Sequence, residues 1–338
     1  MAKKIGTRTI LLENKPHIIS YASVVGKKEH EGPLSEEFDY FTTDSHFGED
    51  SFEKAESKLQ KTAINLALKK ANLKPTDIDK IFAGDLLNQC IGSSFGIREL
   101  GIPFIGLYGA CSTMALSTAL ASIFVDSGAA ERAIAVTSSH FCSAERQYRF
   151  PLGYGGQRTP TAQWTVTGAG AALVTRTGNG PTITACTIGS VIDLGIKDAA
   201  NMGAAMAPAA FSTIKAHFED MNVSADDFDL IVTGDLGQLG KEILLDLSIR
   251  EGIPLGGKLT DCGTLVFDIL SQDVHSGGSG CGCSAITLCG YLLKQIQERK
   301  LNKILFCGTG ALLSPTTTQQ GLPIPAICHA VSISGGDN

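Results

Sequence analysis

The sequence predicts an α/β protein made of two similar halves, each a β-α-β-α-β unit. Short apolar segments of strand length alternate along the chain with longer segments of helical periodicity, which favours largely parallel sheets covered by helices. A phrase of ten residues, Asp77-Ile-Asp-Lys-Ile-Phe-Ala-Gly-Asp-Leu86, returns 150 residues later as Asp227-Phe-Asp-Leu-Ile-Val-Thr-Gly-Asp-Leu236. With 338 residues, 43% of them hydrophobic and 18% charged, the chain is long and apolar enough to bury a large core.

The first half begins with two apolar strands, predicted at residues 9–12 and 17–25, followed by a polar loop. An amphipathic helix is predicted over residues 52–71, because apolar side chains recur on one face at Ala55, Leu59, Ile64, Ala67 and Leu68. The repeated phrase supplies the next strand. The remaining elements of this half are a strand at 102–107, a helix of small residues at 112–125, and strands at 132–137 and 165–174.

The second half repeats these features in the same order. Ile97-Arg-Glu-Leu-Gly-Ile-Pro103 is echoed by Ile249-Arg-Glu-Gly-Ile-Pro254, and Cys111 is echoed by Cys262. The other elements of this half are strands at 183–192 and 303–307 and a helix at 284–298. Matched features in one order indicate a duplication, and we place the halves at residues 1–177 and 178–338.

The duplication also predicts where a ligand would bind. In sheets of this kind, ligands lie beyond the carboxyl ends of the strands. Cys111, Asp85 and Asp235 each follow such a strand end. A duplicated fold brings these ends together near its pseudo-two-fold axis, so we expect the three side chains to lie close to one site.

Composition excludes several classes of function. The net charge of −6 gives no reason to expect nucleic-acid binding. Ten cysteines without a secretory leader indicate reduced thiols in a cytosol-like compartment. No apolar run approaches the roughly 18 residues of a membrane span, so we expect a soluble protein that meets a membrane only through a partner. Cys281-Gly-Cys283 is too tightly spaced for a zinc pair, and we expect neither a metal site nor a cofactor.

Cys111 lies at the most distinctive turn of the chain, between the strand at 102–107 and the helix at 112–125. The first peptide N–H groups of a helix favour a thiolate over a thiol at such a position. The small residues Gly109 and Ala110 allow a sharp turn and leave the sulfur approachable. The alternative is a buried structural cysteine, which is the commoner role of this residue.

This turn and the duplication together resemble the thiolase fold of the condensing enzymes, a five-layered αβαβα architecture of two pseudo-symmetric halves. A closer resemblance, to a sporulation branch of that superfamily in spore-forming bacteria, is carried by phrases in both halves. They are Ala83-Gly-Asp-Leu-Leu-Asn-Gln89, Gly109-Ala-Cys-Ser-Thr113, Thr137-Ser-Ser-His140, Ala144-Glu-Arg-Gln147, Tyr154-Gly-Gly-Gln157, Met206-Ala-Pro-Ala-Ala210, Gly277-Gly-Ser-Gly-Cys281 and Gly310-Ala-Leu-Leu-Ser-Pro315. The resemblance implies a component of the machinery that moves dipicolinic acid into and out of spores, binding that ligand directly.

The sequence departs from the condensing enzymes at their catalytic donors. Those enzymes combine a cysteine thiolate with histidine or asparagine donors that stabilise the oxyanion or enolate. The first histidine is expected after the strand at 230–233, where this chain has Asp235, and a carboxylate would oppose an oxyanion. The second donor is expected in the turn Val274-His-Ser-Gly-Gly-Ser-Gly-Cys281, where only the nearby His275 could act as a relocated donor. Cys111 is therefore interpreted as a vestigial nucleophile.

We expect the former acyl pocket to bind the ligand. Dipicolinate is a flat pyridine with carboxylates on either side of the ring nitrogen, so it needs flat apolar walls and convergent donors. The segment 139–149, without an obvious helix or strand period, supplies His140, Arg146 and Arg149 and, with the glycine-rich residues 153–158, resembles a lid. The alternative for either arginine is a solvated position or an ion pair with Glu145 or Glu131.

Asp193 and Ile196 complete the predicted binding residues, after Cys111, Asp235 and the cationic segment. Asp193 follows a strand end, where it could hold the calcium of a chelate or accept a hydrogen bond from a protonated ligand. The alternative is an aspartate that caps a turn.

Three hypotheses for function follow. The leading one is a non-catalytic binding protein for dipicolinic acid, free or as its calcium chelate. The second is an acyltransferase or thioester hydrolase that uses Cys111 with His275 or His140, which labelling by acetyl- or malonyl-CoA would reveal. The third is a structural docking subunit with a vestigial pocket. The resemblance also implies a homodimer, membrane proteins of the same transport system as partners, and a peripheral location at the spore inner membrane.

Overall fold

The computed structural model describes residues 1–148 and 156–336. Its strands are β1 (Lys3–Ile5), β2 (Thr9–Leu11), β3 (His17–Val25), β4 (Tyr40–Phe41), β5 (Lys80–Gly84), β6 (Phe104–Gly106), β7 (Arg132–Ser139), β8 (Trp164–Thr165), β9 (Gly168–Thr175), β10 (Thr182–Thr187), β11 (Leu230–Thr233), β12 (Leu259–Asp261), β13 (Gly278–Ser279), β14 (Lys303–Ala311) and β15 (Ala326–Ser334). Its helices are α1 (Lys27–His30), α2 (Phe52–Lys70), α3 (Ile91–Ile97), α4 (Thr113–Asp126), α5 (Phe141–Tyr148), α6 (Met202–Met221), α7 (Gly237–Arg250), α8 (Cys262–Val266), α9 (Cys281–Thr287), α10 (Leu293–Gln297) and α11 (Pro315–Gln319), and a π-helical turn (Leu288–Leu292) joins α9 to α10.

The order of the strands is itself duplicated. From one end of the main sheet to the other it runs β6-β5-β7-β9-β3 and then β10-β15-β14-β11-β12. In both sets the outer three strands are parallel, and the next two pair antiparallel. In the described residues the two sets are joined where β3 and β10 pair, at His17 and Thr182, and β2 pairs with β10 beside this point. The duplication predicted from the sequence therefore corresponds to a repeated strand topology.

The helices form three layers around these two sets of strands. Helices α2 and α3 cover the outer face of the first set, and α6 and α7 cover the outer face of the second. Helices α4 and α9 lie between the sets and contact strands of both. Small residues permit this close packing: a side chain at Gly170 of β9 would collide with Ala285 of α9, and one at Gly308 of β14 would collide with Ala115 of α4. The predicted αβαβα architecture is confirmed.

The aspartates of the repeated phrase explain why the phrase recurs. Asp77 and Asp227 each cap a single 3₁₀ turn by accepting a hydrogen bond from the backbone N–H of the residue three positions earlier, at 2.8 and 2.7 Å. Asp79 then accepts the N–H of Arg132, at the start of β7, and Asp229 accepts that of Lys303, at the start of β14, both at 3.0 Å. The aspartates of each phrase therefore fix where its own strand and the neighbouring strand begin.

Local differences from the sequence predictions lie around the candidate site. The segment 139–149, predicted without regular structure, forms the end of β7 and helix α5 as far as Tyr148. Arg149 and residues 153–155 of the predicted lid lie outside the described residues. The strand predicted at 183–192 ends at Thr187, and beyond it only Ile192 pairs with β15, through Ala326.

Candidate functional site

Cys111 lies at a tight turn between β6 and α4, where Ala110 adopts a left-handed conformation with φ of 50°. The backbone N–H groups of Ser112 and Thr113 donate to the carbonyl oxygens of Gly109 and Ala110, at 3.1 and 3.3 Å. These two N–H groups are therefore used within the turn and are not aimed at the sulfur, in contrast to the sequence prediction. The sharp turn itself is as predicted.

Cys111 opens into a small cavity of about 40 Å³, here called the Cys111 cavity. Its described lining residues come from both halves of the chain: Leu86, Tyr108, Ala110, Cys111, Ala144, Tyr148, Thr165, Met202, Ser279, Ala311 and Leu313. They include no charged side chain. The wall is mostly apolar, with phenol and hydroxyl groups as its polar members.

Two tyrosines form the aromatic part of this cavity. The hydroxyl groups of Tyr108 and Tyr148 lie 2.9 Å apart and share a hydrogen bond, and Tyr148 also donates to the carbonyl oxygen of Leu86. Burial raises the pKa of both phenols above the ordinary value, so both stay protonated near neutral pH. The cavity thus presents flat rings with protonated hydroxyl groups at their edges.

Asp235 lies directly behind Cys111 and is fully buried. Its carboxyl group accepts hydrogen bonds from the hydroxyl of Thr309 at 2.8 Å, from the backbone N–H of Gly280 at 2.9 Å, and from the thiol of Cys111. Burial raises the pKa of Asp235 to about 7, although these hydrogen bonds oppose the shift. The partner of the cysteine in this chain is therefore a buried carboxyl group.

This pairing does not suit thioester chemistry. A condensing enzyme must stabilise negative charge on the oxygen of its substrate, whereas a carboxylate beside the sulfur repels that charge. His275, the predicted relocated donor, lies 3.5 Å from the carboxylate of Asp273 and is not among the lining residues of the Cys111 cavity.

His140 and Arg146, two predicted binding residues, lie away from the Cys111 cavity. The Nε2 atom of His140 bonds to the carbonyl oxygen of Ser45 at 2.8 Å, while its Nδ1 accepts the N–H of Cys142 at 3.1 Å. These bonds hold a neutral imidazole, and burial lowers the pKa of His140. Arg146 forms an ion pair with Glu53, rather than with either glutamate considered from the sequence, in a separate cleft.

The remaining predicted residues are also dispersed. Asp193 is exposed, and its carboxylate accepts the N–H of Gly195 at 2.8 Å, which is the turn-capping role. Ile196 is half-buried and packs against the apolar core beside α6. Asp85 is buried, but its carboxylate bonds to Ser93 at the start of α3. Of the three strand-end residues expected to converge, Cys111 and Asp235 are in contact, while the carboxylate of Asp85 is directed to α3.

A second, larger space adjoins the Cys111 cavity. This outer chamber has a volume of about 200 Å³ and shares Tyr148 and Met202 with the first cavity. Its other described lining residues are Glu145, Gln157, Arg158, Thr159, Ala162, Gln163, Ala199, Ala200 and Thr318. Unlike the inner cavity, it has charged side chains on its wall.

Sequence reasoning missed most of the residues that line these spaces. Tyr108 adjoins the Cys111 turn, Tyr148 lies in the segment 139–149, and Ser279 lies in the phrase Gly277–Cys281, but nothing in their local pattern shows which side chains face inward. Gln163 and Met202 carry no sequence signal at all. Their position depends on contacts between segments far apart in the chain.

The fold and the site together define a thiolase-fold protein whose nucleophile position faces a carboxylate. Solved structures with this architecture include 3-oxoacyl-[acyl-carrier-protein] synthase III from Aquifex aeolicus VF5, with a TM-score of 0.56 and 16% identity over 94% of this chain and 99% of that one. Another is OleA from Xanthomonas campestris, with a TM-score of 0.59 and 15% identity over 96% and 97% of the two chains. At such identities the likeness shows the fold alone.

The family is shown by closer relatives. The model of the family Stage V sporulation protein AD (SpoVAD) matches residues 6–334. The chain is also 47% identical over 329 residues to Stage V sporulation protein AD of Bacillus subtilis (strain 168), covering 97% of each chain. The chain therefore belongs to the Stage V sporulation protein AD family, and it is a sporulation protein. In the described residues, no helix combines the length and apolar character needed to cross a membrane.

Proposed function

We propose that this protein binds dipicolinic acid, free or as its calcium chelate, in the Cys111 cavity, as the ligand-holding component of the apparatus that moves this compound into and out of spores. One observation carries the proposal. The nucleophile position is retained in the wall of a mostly apolar cavity built by both halves of the chain, while its partner is the buried carboxyl group of Asp235. The described lining residues include no histidine or asparagine of the kind that donates in acyl transfer.

The lining of the cavity supports a small aromatic ligand. A pyridine ring can lie against the rings of Tyr108 and Tyr148. Their hydroxyl groups, which bond to each other and to the carbonyl oxygen of Leu86, would have to turn toward the ligand to donate to its carboxyl oxygens. Because the described lining carries no charged side chain, a protonated carboxyl or a calcium counter-ion would lower the electrostatic cost of binding there.

Isothermal titration with dipicolinate, with and without calcium, tests the proposal. We expect one saturable site that Cys111→Trp weakens by roughly a hundredfold, since the indole would fill the cavity and clash with the ligand. Leu313→Trp fills the same cavity from the second half and should have the same effect. Binding that is unchanged in both variants would place the ligand elsewhere.

A matched control is Cys142→Trp, because Cys142 lines a different cleft beside His140. This variant should bind dipicolinate like the unaltered protein. If all three tryptophan variants weaken binding equally, the effect reflects damage to the fold. Cys111→Ala, which adds no bulk, should retain the folded structure and change affinity only modestly.

The proposal extends to partners and location. We propose that the protein works as a homodimer at the spore inner membrane, held there by membrane proteins of the same transport system. The strand order supports an interface at β6, which ends the described sheet and leaves one backbone edge unpaired. Exposed apolar side chains lie beside that edge, at Ile91, Phe95 and Phe104.

A further inference from the structure

His140 joins two parts of the chain through its two ring nitrogens. Its side chain is 1% exposed. The Nδ1 atom accepts the backbone N–H of Cys142, in the first turn of α5, so the ring proton lies on Nε2, which donates to the carbonyl oxygen of Ser45 between β4 and α2. The carbonyl oxygen of His140 accepts the N–H of Ala144 at 3.0 Å. His140 is therefore the N-cap of α5, with an imidazole nitrogen in place of the usual side-chain oxygen.

Helix α5 supplies part of the wall of both cavities. Ala144 and Tyr148 line the Cys111 cavity, and Glu145 and Tyr148 line the outer chamber. The helix is described over only eight residues, and a helix of that length depends on its cap and its tertiary contacts because it is not stable alone. A change in its first turn therefore reaches the wall of the Cys111 cavity within one turn.

The cap of α5 depends on the protonation state of His140. A neutral imidazole accepts the N–H of Cys142 at Nδ1, whereas an imidazolium carries a hydrogen on that nitrogen and can only donate. Protonation would set two hydrogens against each other. It would also place a buried positive charge at the positive end of the α5 dipole. The neutral form can hold the helix, and the charged form cannot.

The surroundings of His140 favour the neutral form. Burial lowers its pKa below the ordinary histidine value of about 6.5, and the neighbouring His46 adds to this shift. Glu53 of α2 and the carbonyl oxygen of Ser45 favour the charged form, but Glu53 is paired with Arg146 of α5. The other titratable side chains that line the same cleft are Lys27, Lys28, Glu29, Asp44 and Cys142.

The direction of the shift fixes the pH range of the effect. The unfolded chain takes up the proton of His140 near pH 6.5, and the folded chain takes it up at lower pH. The stabilising effect of the neutral imidazole is therefore fully present above about pH 6.5 and is lost as the pH falls below that value.

We propose that His140 is a positioning residue for the Cys111 cavity, which holds α5 in place as a neutral cap and releases its first turn when protonated. This inference rests on the proposed function, since its functional consequence is a pH-dependent affinity for the ligand of that cavity. After release, α5 is held by contacts further along the helix, such as the bond of Ser143 to Glu56 at 2.7 Å.

Hydrogen exchange without ligand tests the release of α5. After correction for intrinsic exchange rates, the protection of the α5 amides should fall by roughly tenfold from pH 7 to pH 5, the scale of a lost cap. Helix α6 should keep its protection, because its cap is the amide oxygen of Asn201 and the pKa of its buried His217 is about 4. Equal loss in both helices, or constant protection in α5, would overturn the proposal.

Two substitutions separate the roles of the two ring nitrogens. His140→Asn keeps an acceptor near the position of Nδ1 and does not titrate, so α5 should stay protected at both pH values. His140→Gln keeps a donor near the position of Nε2 but removes the cap, so α5 should be poorly protected at both. The proposal fails if the loss at pH 5 persists in His140→Asn, or if His140→Gln matches the unaltered protein at pH 7.

The matched control is His46→Gln. His46 lies in the same loop as Ser45 and stacks on Phe52, with 4.3 Å between the ring centroids. This variant should keep the pH response of the unaltered protein. If the response disappears, titration of His46 controls α5, and the role assigned to His140 is wrong.

Isothermal titration with dipicolinate connects the cap to the cavity. The affinity of the unaltered protein relative to His140→Asn should be near one at pH 7 and should fall about fivefold at pH 5, as the binding-competent fraction falls. Ionisation of the ligand affects both proteins equally and cancels in this ratio. A constant ratio would overturn the positioning role. If dipicolinate binds neither protein, the proposed function fails, while hydrogen exchange still decides whether His140 is a pH-dependent cap.

Discussion

Asp235 is the residue that most distinguishes this site from that of a condensing enzyme. It occupies the position where the resemblance to condensing enzymes leads one to expect a histidine, and its carboxyl group accepts a hydrogen bond from Cys111. A neutral or positive imidazole can stabilise an oxyanion, while a carboxylate cannot. Asp235 is therefore the residue on which the proposed binding role most depends.

The buried carboxyl group also predicts a pH dependence of stability. The pKa of Asp235 is raised to about 7 by burial, so between about pH 4 and pH 7 the folded chain holds a proton that the unfolded chain has lost. Its contribution to the free energy of unfolding is therefore fully present below about pH 4 and is lost as the pH rises to about 7. Asp235→Asn should reduce that decline by about 1–3 kcal/mol, measured by urea unfolding across this range.

The control for this experiment is an aspartate whose pKa is shifted in the opposite direction. The backbone N–H of Arg132 lowers the pKa of Asp79, so the stabilising effect of Asp79 is present above the ordinary aspartate pKa and is lost as the pH falls. Asp79→Asn should therefore destabilise the protein mainly near neutral pH. Parallel pH profiles for Asp235→Asn and the unaltered protein would show that Asp235 is not protonated in the folded state.

At the level of elements, helix α5 shows how tertiary contacts place a segment that has no clear sequence period. Ser143 of α5 donates to the buried carboxyl of Glu56 on α2 at 2.7 Å, and Tyr148 lines the Cys111 cavity. The same helix carries Glu145, which lines the outer chamber. One short helix thus joins the inner cavity, the outer chamber and α2.

The edge at β6 leads to a prediction about assembly. Phe95 on α3 is 50% exposed and Phe104 on β6 is 38% exposed, beside an unpaired strand edge. If a second copy covers this edge, Phe95→Glu should convert the dimer to a monomer at micromolar concentration, because a buried unpaired charge is costly. Light scattering coupled to size-exclusion chromatography measures this change.

Leu270→Glu is the matched control, since Leu270 is 97% exposed in the segment between α8 and β13, far along the chain from the β6 edge. It should leave the mass unchanged. A monomeric mass for the unaltered protein would overturn the homodimer proposal directly.

On the scale of the whole molecule, the two halves cooperate in one cavity. Cys111 and Tyr108 come from the first half, while Ser279, Ala311 and Leu313 come from the second. The central helices α4 and α9 contact strands of both halves. A ligand in the cavity therefore touches both copies of the duplicated unit.

This arrangement predicts a shared response to ligand. Dipicolinate at about 100 times its dissociation constant should raise the free energy of unfolding by about 2.7 kcal/mol. Hydrogen exchange should slow both at the start of α4 and at the end of β14, since the cavity joins them. Protection confined to the first half would contradict a site built from both halves.

Much of the fold could be predicted from the sequence, because its determinants are local and repeated. Two kinds of local determinant can be recognised in the sequence because they act on their immediate neighbours. They are the capping aspartates, Asp77 and Asp227, and the small residues around Cys111. The repeated phrase therefore predicts the duplicated topology, and the Gly109–Thr113 turn predicts where the cavity opens.

Only the tertiary structure decided which side chains face the two cavities. His140, Arg146 and Asp193 have the right chemistry in the sequence, but each has a partner elsewhere, namely Ser45, Glu53 and Gly195. The amide group of Gln163 has a defined orientation because the fold brings the carbonyl oxygens of Asp235 and Gly278 to its nitrogen. Strands and helices are determined largely by residues that are close together in the sequence. The direction in which a side chain points within a site is determined by packing between residues that are far apart in the sequence.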